Sequence, residues 1–217
     1  MDKKLLTAMV FHNLRVLNKV TPRDTYVLNY QTHYKKWGDN FFDIHALAFQ
    51  WGATHHPMRI MEIGTRTGLS IAALLSAYQD FSGLRVCLFD LFDDGLSCPD
   101  LVRKHLEHLA IPTGFVEFYI GDSRKTVPAF KQGNTDLFDY ILCDGGHSVE
   151  VLTEDLENVV DLLATGGVLL VDDISATVQS DGFDLKPALN AFQDKHLNEF
   201  SWYRDEAGKG TAWAVRR

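Results

Sequence analysis

FDYILCDGGHSVEVLTEDLENVVDLLATGGVLLVDD, residues 138–173, contains a whole strand, helix and strand in succession. Phe138 to Asp144 and Gly166 to Asp173 are short apolar runs, each closing on carboxylates, of the kind that fills a buried parallel sheet. Between them the spacing predicts a helix over Val151 to Leu163. Val151, Leu152, Leu156, Val159, Val160 and Leu163 fall on one stripe, Glu150, Glu154, Asp155 and Glu157 face outward, and Ser148 stands at the N-cap. Two parallel strands joined by a helix form the repeating unit of an α/β sheet.

The same pattern extends towards the N-terminus. Met58 to Gly64 (MRIMEIG), Leu84 to Asp90 (LRVCLFD) and Val116 to Asp122 (VEFYIGD) are three further strands separated by helical periodicity, giving a doubly wound, Rossmann-like α/β fold with five parallel strands. A helix is expected over Lys186 to Lys195. The tail FSWYRDEAGKGTAWAVRR reads as an antiparallel hairpin at the sheet edge, turning through Gly208 to Gly210. Residues 1–57 carry no strand pattern. They hold Phe11, Tyr26, Tyr30, Tyr34, Trp37, Phe41, Phe42, Phe49 and Trp51, with helix-like spacing from Phe41 to Trp51, and read as an N-terminal helical cap or extension preceding a catalytic domain over 58–217. That cap serves equally as core, as substrate lid or as the contact of a homo-oligomer.

Composition narrows the function. With 46% hydrophobic and 23% charged residues the 217-residue chain is ordinary globular material. A net charge of −8 and the lack of a basic patch disfavour nucleic acid. No apolar run nears the roughly 18 residues that would span a bilayer, and the N-terminus lacks a secretory cleavage pattern. Cys87, Cys98 and Cys143 are odd in number and two sit in apolar runs, so a reducing, cytoplasmic setting is expected.

Ligands of open α/β sheets gather beyond the carboxyl ends of the strands. Here those ends are Glu62-Ile-Gly64, Asp90, Gly121-Asp122-Ser123, Asp144-Gly-Gly-His147 and Asp172-Asp173. A dinucleotide would want G-x-G-x-x-G, but Gly64-Thr-Arg-Thr-Gly68 has Arg66 where the middle glycine belongs, which disfavours a dinucleotide oxidoreductase. A cationic, hydroxyl-rich ligand suits acidic ends better: Asp90 can accept from ribose hydroxyls, Asp122 from an adenine amine, and Glu62 can place an ammonium group. S-adenosylmethionine has all three features. Neighbouring carboxylates on strands about 4.8 Å apart repel by roughly 3 kcal/mol at an effective dielectric near 20, which a hard cation such as Mg²⁺ would relieve. The residues offer no Cys/His set for zinc and no two-histidine set for a hydroxylase iron.

These motifs resemble a known family. EIGTRTGLS (62–70), Asp90, GDS (121–123) and CDGGHSVEVLTEDLENVVDLLATGGVLLVDDI (143–174) are similar to the class I S-adenosylmethionine-dependent methyltransferases. More narrowly, they and GFDLKPALNAF (182–192) resemble the branch with macrolide-sugar O-methyltransferases and cephalosporin hydroxylase-like proteins. The resemblance covers residues 58–217. It implies that Glu62, Gly64, Thr65, Gly68, Ser70, Asp90, Asp122, Ser123 and Asp144 hold S-adenosylmethionine. It further implies that Asp144, Asp172 and Asp173 bind a divalent metal, usually Mg²⁺, with His147 and Asp144 catalytic and His147 the base. The acidic pair is often Glu-Asp or Asp-Asn in that branch, whereas this chain has Asp-Asp. The implied reaction is methylation of a small hydroxylated acceptor, such as a sugar, polyketide or phenol: a metal-bound hydroxyl loses its proton to His147 and attacks the sulfonium methyl in line.

Plainer readings stand beside these. Gly64 and Gly68 also suit a tight strand-to-helix turn, and Asp90, Asp122 and Asp172-Asp173 suit turns or caps. His147 also suits a helix start, and Arg66 a cofactor carboxylate or solvent. His105 and His108 read as surface residues, and Tyr34, Trp37 and Trp51 as pocket lining or cap packing. A non-catalytic S-adenosylmethionine binder on the same fold is the main functional alternative.

Overall fold

The computed structural model describes residues 44–95, 97–174, 182–206 and 209–217. Numbered over these residues, the helices are α1 Ile44–His55, α2 Leu69–Leu75, α3 Pro99–His108, α4 Ser123–Gly133, α5 Val149–Val159 and α6 Lys186–Lys195. The strands are β1 Arg59–Ile63, β2 Arg85–Asp90, β3 Val116–Ile120, β4 Phe138–Cys143, β5 Leu163–Val171, β6 Phe200–Asp205 and β7 Thr211–Arg216. The chain forms two compact units. One contains all the described strands (within 57–64, 84–91 and 116–217); the other joins 65–83 and 92–115 to residues 44–56.

In the sheet unit the strand order is β3-β2-β1-β4-β5-β7-β6. Strands β1 to β5 run parallel, while β7 pairs antiparallel with both β5 and β6. The expected five parallel strands and edge hairpin are therefore present, with β6 outermost. Met61, Ile63, Cys87, Phe89, Ile141, Cys143, Leu169 and Val171 share one core with Val127 and Phe130 of α4, Leu152, Leu156 and Val159 of α5, and Leu189 and Phe192 of α6. The alternate residues Ile60, Val86, Leu88, Leu142 and Leu170 are equally buried. Burial on both faces explains why these strands read as unbroken apolar runs instead of alternating.

Two boundaries differ from expectation. Strand β5 starts at Leu163, not Gly166, and α5 ends at Val159 with a 3-10 turn over Val160–Leu162. The glycines that look like a strand start lie inside the strand: Gly166 has φ +80° and the β4–β5 register shifts between Phe138 and Tyr140. This is a bulge, which glycine accommodates. Asp155 is a further correction: it is buried, not outward-facing. It lies three residues after Leu152 and four before Val159, on the same buried stripe. Ser148 caps α5 as expected, its hydroxyl accepting from Val151 N at 3.2 Å.

In the helical unit, α1 covers residues 44–51 of the helix-like spacing from Phe41 to Trp51, and residues 41–43 lie outside the described residues. It lies so close to α2 that a Cβ on Gly52 would stand 2.2 Å from Leu74 O. His105, expected at the surface, is fully buried with Nδ1 3.3 Å from Thr67 O. Residues 1–43 of the cap expected over 1–57, the loop over 175–181 and the hairpin turn at Gly208 lie outside the described residues. Among the described residues no helix is long and apolar enough to cross a membrane.

Candidate active site

The parallel register brings the strand ends of the sheet unit to one level. Ile63 lies opposite Phe89 and Cys143, and Cys143 opposite Val171. The ladder continues one residue further: Gly64 N donates to Phe89 O at 2.9 Å, Asp144 N to Ile63 O at 2.9 Å, and Asp172 N to Cys143 O at 3.3 Å. The chain order reverses between β1 and β4, the switch point where α/β sheets bind ligands. Gly64 sits there with φ +88°, and a Cβ on it would stand 1.8 Å from Asp144 O. The close approach of β4 thus requires glycine at this position.

Beyond β4 and β5, Asp144, His147 and Asp173 each offer a ligand atom, all within 4.8 Å of one another. His147 Nε2 lies 3.2 Å from Asp173 Oδ2. The imidazole stacks on Phe183, with ring centroids 4.3 Å apart and planes 15° from parallel. Asp173 is almost wholly buried and takes a left-handed backbone (φ 60°), a conformation that Asp tolerates better than most residues. Lys209 Nζ lies 3.1 Å from Asp173 Oδ1 and 3.4 Å from Oδ2. Asp172 stands apart from the three-residue cluster, its Oδ1 accepting from the Thr211 hydroxyl at 2.9 Å.

The charges are unevenly settled. Burial and the carboxylates of Asp172 and Asp173 push the Asp144 carboxyl well above its ordinary range, with Lys209 opposing and Glu62 adding to the rise. Burial alone would raise Asp173 too, but the His147 hydrogen bond and the Lys209 ammonium hold it below its ordinary value. Lys209 itself is lowered by burial, yet the attraction of Asp173 and Asp172 prevails and raises it. Asp144 is therefore harder to ionise than Asp173.

The remaining acidic ends are placed differently. Asp90 closes β2, half-buried. Asp122 caps α4, accepting from Arg124 N at 3.1 Å and from the guanidinium at 3.0 and 2.7 Å. Ser123 bonds to buried Asp155, whose carboxyl burial raises to about 6. In the helical unit Thr65 is buried with no hydrogen-bond partner for its hydroxyl among the described residues, Gly68 N donates to Thr65 O at 2.8 Å, and Ser70 is buried in the first turn of α2. Arg66 pairs with Asp94 at 3.4 Å, and Trp51 is half-buried beside His55.

A family of methyltransferase domains matches residues 61–174, more than half of the chain and the span that carries every residue of the acidic rim. The chain belongs to that family. This methyltransferase has the class I, S-adenosylmethionine-dependent fold that its motifs resemble, and solved structures share it. It is similar to the O-methyltransferase TomG of Streptomyces achromogenes in complex with SAM (18% identity, TM-score 0.61, covering 80% of this chain and 77% of that one). It is also similar to SAH-bound PaMTH1 of Podospora anserina (13%, 0.67, covering 94% and 87%) and to an O-methyltransferase of Bacillus cereus in complex with SAH (19%, 0.62, covering 80% and 79%). At such identities these likenesses concern the fold. A curated relative, the highly reducing polyketide synthase easB of Emericella nidulans, is 27% identical over 132 residues, 60% of this methyltransferase but 5% of the synthase.

Two residues of the site escape a reading of the sequence. Lys209 comes from the edge hairpin, 36 positions from the carboxylate it meets, and only the β5–β7 pairing brings it there. Asp155 carried a signal in the helical stripe, but its charge argued for solvent.

Proposed function

We propose that this methyltransferase transfers a methyl group from S-adenosylmethionine to a hydroxyl of a small molecule, with His147 as the base. The observation that carries this is the pairing of His147 Nε2 with buried Asp173 while Phe183 stacks on the ring. Donation from Nε2–H to Asp173 fixes the tautomer and leaves the lone pair on Nδ1 to receive the acceptor's proton. Asp173 also stabilises the imidazolium that results. Phe183 restricts the ring plane, so the base is held in position before the acceptor arrives.

S-adenosylmethionine supplies the electrophilic methyl on its sulfonium. Glu62, Gly64, Asp90, Asp122, Ser123 and Asp144 are the proposed contacts in the sheet unit, and Thr65, Gly68 and Ser70, directly after Gly64 in the sequence, are the others. The buried Thr65 hydroxyl, without a partner among the described residues, supports a polar ligand at that loop. Asp122 would have to share its carboxylate with Arg124.

The donor set also fits a divalent cation. One ligand atom each from Asp144, His147 and Asp173 lies within 4.8 Å of the others, and carboxylate oxygens are the donors that Mg²⁺ prefers. Asp144 and Asp173 would hold the cation, which would supply polarisation of the acceptor hydroxyl. Asp172, the third carboxylate implied by the resemblance, is engaged by Thr211. A sugar, polyketide or phenol is the proposed acceptor class, and the partial likeness to a polyketide synthase supports the second of these.

Thermal melts with S-adenosylmethionine, S-adenosylhomocysteine, NAD and NADP, each with Mg²⁺ or EDTA, test the cofactor. At a hundredfold excess over Kd a true ligand adds about 2.7 kcal/mol, roughly 5–10 °C for a chain of this size. The expected shift is with the two adenosyl compounds; a shift with NAD alone overturns the reading. Formation of S-adenosylhomocysteine with a panel of hydroxylated acceptors then tests the transfer.

A further inference from the structure

We propose that Lys209 is the resident counter-ion of the carboxylate cluster beyond β4 and β5, and that it sets how strongly this cluster takes a divalent cation. The inference rests on the reading of Asp144 and Asp173 as cation-holding carboxylates, and its test needs no methyl transfer.

The Lys209 ammonium contacts both oxygens of Asp173, 3.1 and 3.4 Å away, covering the atoms that a metal would use. Sheet pairing fixes this position. Val171 lies opposite Ala212, Ile174 N donates to Gly210 O at 3.1 Å, and the Thr211 hydroxyl donates to Asp172. Residues 209–211 thus dock as a block on residues 172–174, and the lysine is presented to the carboxylates by a backbone that is itself held. The side chain is about two-thirds buried and Asp173 nearly wholly so, which keeps solvent from screening the pair.

Three aspartates, Asp144, Asp172 and Asp173, share this corner, and Lys209 is the cation whose attraction they feel. A compact ammonium offers one charge in place of two and makes hydrogen bonds where a metal makes coordinate bonds. An incoming divalent cation must displace the ammonium from Asp173 or bind against its repulsion. Removing the lysine charge leaves the carboxylates unneutralised and strengthens their hold on metal.

The test is Mn²⁺ titration of the metal-stripped full chain, followed by the electron paramagnetic resonance of free Mn²⁺, for the original protein and for Lys209→Met, Lys209→Gln and Lys209→Arg. The two neutral variants are expected to bind Mn²⁺ about tenfold more tightly or better, and the arginine variant to match the original. Asp144→Asn combined with Lys209→Met is expected to lose the gain. Unchanged or weaker binding in the neutral variants overturns the proposal, as does the absence of Mn²⁺ binding from every variant. Should neither neutral variant fold, the original protein decides alone: weak binding, with Kd above about 100 µM, is expected, and Kd at or below that value overturns the proposal. The melting shift with S-adenosylmethionine, measured on the same samples, reports separately on the methyltransferase reading.

Discussion

The two ends of the sheet use the same residue types to opposite effect. At the amino ends, Arg85 of β2 donates to Glu117 of β3 at 2.8 Å and to Asp136 and Asn134 at 2.9 and 3.0 Å, while Asp139 accepts from the backbone of Met58 and Arg59. Glu117 is held below its ordinary pKa by Arg85. Charge there is matched and partly exposed. At the carboxyl ends three aspartates meet one ammonium and one imidazole, and the Asp144 carboxyl is pushed well above its ordinary range. One end is built for stability, and the other keeps an electrostatic tension that a ligand can relieve.

Substitutions at the two ends should therefore separate activity from stability. The largest effect is expected from His147→Ala, which should lower methyl transfer by about 10²–10⁴ and leave the melting shift with S-adenosylmethionine intact. Retention of the original rate would remove the base from the mechanism.

Asp155 tests whether tension reaches the support behind the rim. Its folded pKa is raised to about 6, so its contribution to stability is full below the unfolded value and is lost as pH rises through 6. Urea unfolding at pH 4.5, 6 and 7.5 should show Asp155→Asn gaining on the original protein by up to about 2 kcal/mol across that range. A pH-independent difference would contradict the assignment.

Arg85→Ala probes the matched end. Because its partners are about two-fifths exposed, solvent weakens each pair, and a loss of about 1–2 kcal/mol is expected by urea unfolding, with no change in cofactor affinity. A weakened cofactor response would show that the two ends are not separable. The smallest effect is expected from Asp144→Asn, which removes a carboxylate crowded by its neighbours. It should raise the melting temperature at pH 7 by about 2–4 °C; a lower melting temperature would mean that the charge supports the fold.

Much of this was legible in the chain. The five strands, the α6 helix, the Ser148 cap and the edge hairpin follow from runs of apolar residues and their punctuation. The acidic strand ends could be located because parallel strands all point the same way. The burial of His105 and Asp155 was not legible, since local pattern weighs charge against stripe and cannot see a partner such as Thr67 O or Ser123. Nor was the start of β5, where the glycine pair marks a bulge.

By itself the sequence determined the order of elements, because hydrophobic period and turn chemistry act over a few residues. It also determined which side chains stand at the strand ends. Which of these meet is settled in three dimensions: Asp173 takes His147 and Lys209, and Asp172 goes to Thr211. Those pairings depend on register and on hairpin docking, which join residues up to 39 positions apart and which no local pattern encodes.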